Sequence, residues 1–157
     1  MSDPYVIVGV ARTRQGWFSD VARWANSGAA PVEFVKCLTA DEARAVLGAG
    51  RPVSALLVDA STPGLDRDLT ADAASAGVPT FVVVDGRVLM TPTDSDTLYC
   101  LNLEDGKQCW TAPRQEDLYL ACVHKGEVIL VGRTQVRALA LADGKPAGFS
   151  SVKLGGR

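Results

Sequence analysis

The periodicity of the chain changes at Asp85-Gly86. Before that dipeptide, apolar runs of strand length alternate with segments whose apolar residues recur at helical spacing. After it come short runs of strand character separated by Gly-containing turns. A chain with this break is expected to be α/β followed by antiparallel β, because a parallel strand needs a long crossover whereas an antiparallel one needs only a tight turn.

The first half reads as βαβαβαβ. Tyr5-Val6-Ile7-Val8-Gly9-Val10 is nearly all apolar and suits a strand covered on both faces. Phe18, Val21, Ala22 and Ala25 follow at helical spacing, and Asn26-Ser27-Gly28 is a stop signal. A second strand over 33–37 leads to Thr39-Ala40-Asp41-Glu42, a capping box opening a helix that closes at Gly48. A third strand over 54–58 runs into Asp59, an Ala-rich helix spans about 68–76, and a fourth strand covers 78–84. Such alternation implies right-handed crossovers and a doubly wound parallel sheet, whose chemistry sits at the carboxyl ends of its strands. Asp59 falls at one of those ends.

The second half repeats itself. Cys100-Leu101-Asn102-Leu103-Glu104-Asp105-Gly106-Lys107 is echoed 38 residues on by Ala138-Leu139-Ala140-Leu141-Ala142-Asp143-Gly144-Lys145. Strands are expected over 87–90, 97–103, 107–111, 118–124, 127–132 and 135–141. A repeat of about 40 residues built from four short strands has the dimensions of a propeller blade. The polar, glycine-rich residues 150–157 are expected to be loosely held. The junction Phe81-Val82-Val83-Val84-Asp85-Gly86-Arg87-Val88 satisfies both patterns, and no Pro/Ser-rich linker separates them. Residues 1–86 and 87–157 are therefore expected to pack together as one unit.

Composition narrows the roles. The chain has 157 residues, 47% of them hydrophobic and 22% charged, which suits a folded globular protein. A net charge of −2 with scattered basic residues offers no surface for nucleic acid. No apolar run approaches the roughly 20 residues that span a bilayer, and residues 1–4 lack the start of a signal peptide, so a cytoplasmic location without membrane contact is expected. The cysteines, Cys37, Cys100, Cys109 and Cys122, form no CxxC pair, and His124 is the single histidine, so no metal site is expected. His124 adjoins the Lys125-Gly126 turn and reads as a surface residue. Gly48-Ala49-Gly50 lacks the context of a dinucleotide loop.

Two resemblances rest on these segments. Leu56-Leu57-Val58-Asp59-Ala60-Ser61-Thr62-Pro63-Gly64, with Val78-Pro79 opening the fourth strand, makes residues 4–86 similar to a response-regulator receiver, in particular to the degenerate modules that precede septum-site or pilus-localisation ATPases. That resemblance implies an incomplete flavodoxin-like sheet and a phosphoacceptor role for Asp59. Receivers also carry an acidic pair after the first strand to hold magnesium, and here Gly9-Val10-Ala11-Arg12-Thr13 contains no carboxylate. Val84 stands where the family has a hydroxyl residue, and the fifth receiver strand is missing. Residues 86–149, with Trp110 after the first Asp-Gly-Lys turn, resemble pyrroloquinoline-quinone-type β-propeller repeats. This implies one to two blade-like meanders, too few to enclose a quinone, so no cofactor is expected.

These patterns leave a short set of candidate residues. Asp59 is either the phosphoacceptor or a side-chain cap for the turn beginning at Ser61, the reading favoured here, and Arg12 or Arg14 could replace the metal as a fixed ion partner. Trp110, Tyr99 and Tyr119 are either a ligand cage or core, the alternation of strand positions favouring core. The expected function is a non-enzymatic protein-interaction or regulatory module with a self-associating or partner-binding β part and no small-molecule substrate. The alternatives are a phosphorylation-switched receiver and a recombined chimera that folds without a selected activity.

Overall fold

The computed structural model of the chain describes residues 4–11, 16–61, 67–90, 96–114 and 117–153. Strands β1 (Tyr5–Val10), β2 (Val32–Cys37), β3 (Ala55–Asp59) and β4 (Thr80–Val84) alternate with helices α1 (Gly16–Asn26), α2 (Ala40–Leu47) and α3 (Arg67–Ser75). The four strands run parallel in the order β2-β1-β3-β4. Strands β5 (Arg87–Met90), β6 (Thr97–Asn102) and β7 (Gln108–Pro113) continue the same sheet antiparallel, giving a mixed sheet of seven strands. A second sheet of four antiparallel strands has the order β11-β10-β9-β8, from β8 (Asp117–His124), β9 (Glu127–Gly132), β10 (Gln135–Ala140) and β11 (Pro146–Lys153).

Local chemistry explains several of these boundaries. Thr39 caps α2 by accepting from the Glu42 N–H at 3.2 Å, and the Glu42 carboxylate returns to the Leu38 N–H at 3.1 Å. Phe18 of α1 packs edge-on against Phe34 of β2, their ring centroids 5.5 Å apart. Both rings lie over Gly9, where a Cβ would come within 2.3 Å of Phe34. In the β4–β5 hairpin Asp85 and Gly86 have φ of 47° and 73°, and in the β8–β9 hairpin Lys125 and Gly126 have 49° and 74°. Two consecutive positive angles are what a type I′ turn requires. The repeated Asp-Gly-Lys turns work differently: the side chains of Asp105 and Asp143 accept from the N–H of Lys107 and Lys145, and only the glycines take positive φ.

Strand β4 belongs to two patterns at once. Its one edge pairs parallel with β3 and its other edge pairs antiparallel with β5. The edge of β4 that β3 leaves open is thus taken by the β half. Strands β4 to β7 form one four-stranded meander and β8 to β11 a second. The two face each other across a core of Val82, Leu89, Leu98, Cys100 and Trp110 on one side and Leu120, Val128, Leu130, Leu139 and Leu141 on the other. A separate core under the parallel strands joins Val8, Val10, Leu56 and Val58 to Ala43 of α2 and to Leu69 and Ala73 of α3.

One expectation is corrected here. Residues 150–153 are part of β11, with Val136 opposite Val152 and Gln135 opposite Lys153. The backbone groups on the outer edge of β10 need partners, and a strand needs only main-chain groups to supply them. Residues 154–157 lie outside the described part.

Candidate functional site

The carboxyl ends of the parallel strands open into a cleft of about 420 Å³, lined by Gly16 and Trp17 of α1, Asp59, Ser61, Val83 and Val84, the Asp85-Gly86 turn and Leu103. The sequence therefore placed Asp59 at the correct end of the sheet, but the cleft walls come from both halves of the chain.

Asp59 is buried, and both of its oxygens are engaged. Oδ2 accepts from the indole Nε1–H of Trp17 at 2.7 Å. Oδ1 accepts from the Ser61 N–H at 2.8 Å and from its hydroxyl at 2.5 Å. The carboxylate thus caps the Ser61 turn and ties α1 to the end of β3. Trp17 lies in the first turn of α1, and nothing local in the sequence signals a partner 42 residues away. Arg12 and Arg14, offered as ion partners, and Thr62, Pro63 and Gly64 lie outside the described residues. Val84 lines the cleft with an apolar side chain. Among the described residues no group of three or more His, Cys, Asp or Glu side chains is disposed to hold a metal ion.

The second constellation lies between the meanders. Trp110 is buried, and its indole Nε1–H donates to the Leu141 carbonyl at 2.7 Å. Its ring lies so close to Gly144 that a Cβ there would sit 2.4 Å away. Arg137, also buried, makes a further tie between the sheets by donating to the Pro113 carbonyl at 2.5 Å. Trp110 is paired with Cys100 while Tyr99 is paired with Thr111, so the two aromatics point to opposite faces of one sheet and do not form a cage. Trp110 is a core residue. The side chain of Tyr119 lies outside the described part. His124 is exposed beside its hairpin turn.

The cysteines are free thiols in different surroundings. Burial pushes the Cys37 thiol up to about 11 and, with nearby Cys109 adding to it, the Cys100 thiol up to about 12. Cys122 is half-buried and is also raised by burial, whereas Cys109 is exposed. No helix among the described residues is long and apolar enough to cross a membrane.

Comparison with known proteins adds a family. The PQQ_2 family, described as outer membrane protein assembly factor BamB, matches residues 15–147, a range that takes in α1 to β10 and the first residues of β11. Among solved structures, BamB from Moraxella catarrhalis is similar at 17% identity and a TM-score of 0.38, over 44% of this chain. The matched region spans 23% of that protein's chain. No curated protein matches. With most of its length matched by one family, the chain belongs to the PQQ_2 family of outer membrane protein assembly factor BamB.

Proposed function

We propose that the chain is a non-enzymatic protein-interaction module in which residues 1–86 form a degenerate receiver-like, flavodoxin-like support and residues 87–157 present blade-like surfaces to a protein partner. The two parts act as one unit through β4. The observation that carries this reading is the second face of the β8–β10 sheet. Cys122 and Ile129 are paired, as are Val131 and Val136, and all four are half-buried on the side away from the core between the meanders. A sheet that is apolar on both faces is of the kind that is covered on both. The family's description as an assembly factor for outer membrane proteins agrees with a role exercised on other proteins.

Affinity capture with the intact chain, followed by sedimentation with the captured protein, tests the reading. The expected result is a saturable complex of defined stoichiometry that Val131→Lys weakens at least tenfold. A chain that stays monomeric and holds no protein at tens of micromolar overturns it and leaves the recombined chain without a selected activity.

A second reading, a receiver switched by phosphorylation of Asp59, is favoured by the position of that carboxylate on the cleft at the end of β3. Beryllofluoride with magnesium is the probe. Binding that changes Trp17 fluorescence supports the switch; an unchanged spectrum at millimolar reagent removes it.

A further inference from the structure

Cys100 and Cys109 lie on facing strands of the β6–β7 hairpin, at the point where its register shifts. Trp110 pairs with Cys100 and Gln108 pairs with Leu101, so Cys109 is the extra residue of a β-bulge. Plain alternation would put Cys109 on the face of Thr111, away from Cys100. A bulge instead sets two residues of one strand against a single residue of the other, and here Cys109 and Trp110 both oppose Cys100. The side chains meet accordingly, the thiols of Cys100 and Cys109 sharing a hydrogen bond.

The two sulfurs meet solvent differently. Cys100 is fully buried in the core between the meanders, whereas Cys109 is exposed on β7, the last strand of its sheet. A reagent in solution therefore arrives at Cys109 first. Directly opposed residues of antiparallel strands have Cα atoms roughly 4.5–5.5 Å apart, inside the span of roughly 4.4–6.8 Å that a disulfide bridges. Joining the pair thus asks for side-chain rotation and not for a new backbone path. The other cysteines are elsewhere: Cys37 ends β2, at the opposite edge of the same sheet, and Cys122 is on β8 in the second sheet.

We infer that Cys100 and Cys109 form a redox modification site, a dithiol that a peroxide converts into a disulfide across the β6–β7 hairpin. The exposed sulfur reacts first. Cys109 Sγ, as thiolate, attacks one peroxide oxygen; the O–O bond breaks, Cys109 becomes a sulfenic acid, and the thiol proton leaves with the second oxygen as water. Cys100 Sγ then attacks Cys109 Sγ, the S–O bond breaks, and the departing hydroxide takes the Cys100 proton as a second water. The two sulfurs lose two electrons in all and the peroxide gains them. Burial holds Cys100 in its protonated form, which suits the second step and not the first. The new bond would lie beside Trp110, whose indole N–H joins the two meanders. This site is independent of the protein-binding reading.

The test treats the reduced intact chain, freed of reductant, with hydrogen peroxide in native buffer. Free thiols counted after denaturation are expected to fall from four to two, with a monomer lighter by two hydrogens. Peptide mapping is expected to find Cys100 joined to Cys109, and a dithiol reductant to reverse the change. Cys109→Ser, altered at an exposed position, should form no bridge and lose thiols at least tenfold more slowly. Cys100→Ala, with its fold checked by circular dichroism, should hold Cys109 as a sulfenic acid that dimedone traps. Cys109 carried on to a sulfinic acid while Cys100 stays a thiol would overturn the inference. So would a bridge to Cys37 or Cys122, a disulfide between two chains in place of one within the chain, or thiol loss as fast in Cys109→Ser as in the native chain.

Discussion

Trp110 gives its indole N–H to the carbonyl of Leu141 at 2.7 Å, reaching from the outer strand of one meander to the turn of the other. Replacing it with phenylalanine keeps a ring in the gap but leaves a buried carbonyl without its donor. Trp110→Phe is expected to lower stability by about 1–3 kcal/mol. Urea unfolding followed by circular dichroism measures this, and an unchanged midpoint would show that the hydrogen bond contributes nothing net.

Gly144 and Gly106 separate two causes of the same defect. Alanine at either position meets the penalty of a left-handed backbone, about 1–2 kcal/mol. Only at Gly144 does the new Cβ also run into the Trp110 ring, at 2.4 Å. Gly144→Ala should therefore be clearly the more damaging of the two, with Trp110 fluorescence shifted toward that of solvated indole. Equal losses in paired urea melts would count against the close contact.

Asp59 holds α1 and the Ser61 turn with three accepted hydrogen bonds. Asp59→Ala leaves the Trp17 N–H and the Ser61 N–H without their acceptor, at a cost of about 2–4 kcal/mol from the values of charge-assisted bonds. Asp59→Asn retains a carbonyl oxygen and should lose less. The check is thermal unfolding of both variants together with Trp17 emission, where alanine is expected to perturb the spectrum and asparagine to perturb it weakly.

The buried thiols make stability depend on alkaline pH. Cys37 and Cys100 ionise from an ordinary value of 9.0 when unfolded and are raised to about 11 and about 12 when folded. Between those limits the folded chain binds more protons than the unfolded one, so the slope of stability with pH is negative. Their contribution is complete below about pH 9 and falls as pH rises toward 11 and 12. Urea midpoints measured from pH 8 to 11 should decline, and Cys37→Ala with Cys100→Ala should flatten the decline. At pH 8 a thiol reagent should label exposed Cys109 first, with Cys37 and Cys100 reacting on unfolding.

Local chemistry was readable because its rules span a few residues. The Thr39-Glu42 cap and the positions of the repeated turns rest on main-chain needs that particular side chains or glycines satisfy, and the structure has them in place. The dual fit of residues 81–88 was readable for the same reason, since one apolar run meets the demands of either neighbour. Contacts between distant segments were not readable. Trp17 and Asp59 meet because α1 begins beside the end of β3, and Gly9 is required by rings of Phe18 and Phe34 that arrive from two other elements. Strand β11 escaped notice because main-chain pairing recruits a polar, small-residue segment as readily as an apolar one. The mechanism of the Asp-Gly-Lys turns was also hidden, because an aspartate that adopts positive φ and one that caps with its side chain look alike in sequence.

Successive amides of a strand point to opposite edges, so those of β4 are divided between β3 and β5. Hydrogen–deuterium exchange along Thr80–Val84 consequently reads two bodies from one segment, with alternate residues reporting on release from the parallel neighbour and from the antiparallel one. If those alternate rates are equal, the whole chain opens as a single unit; if they differ, the faster set identifies which half lets go of the strand first.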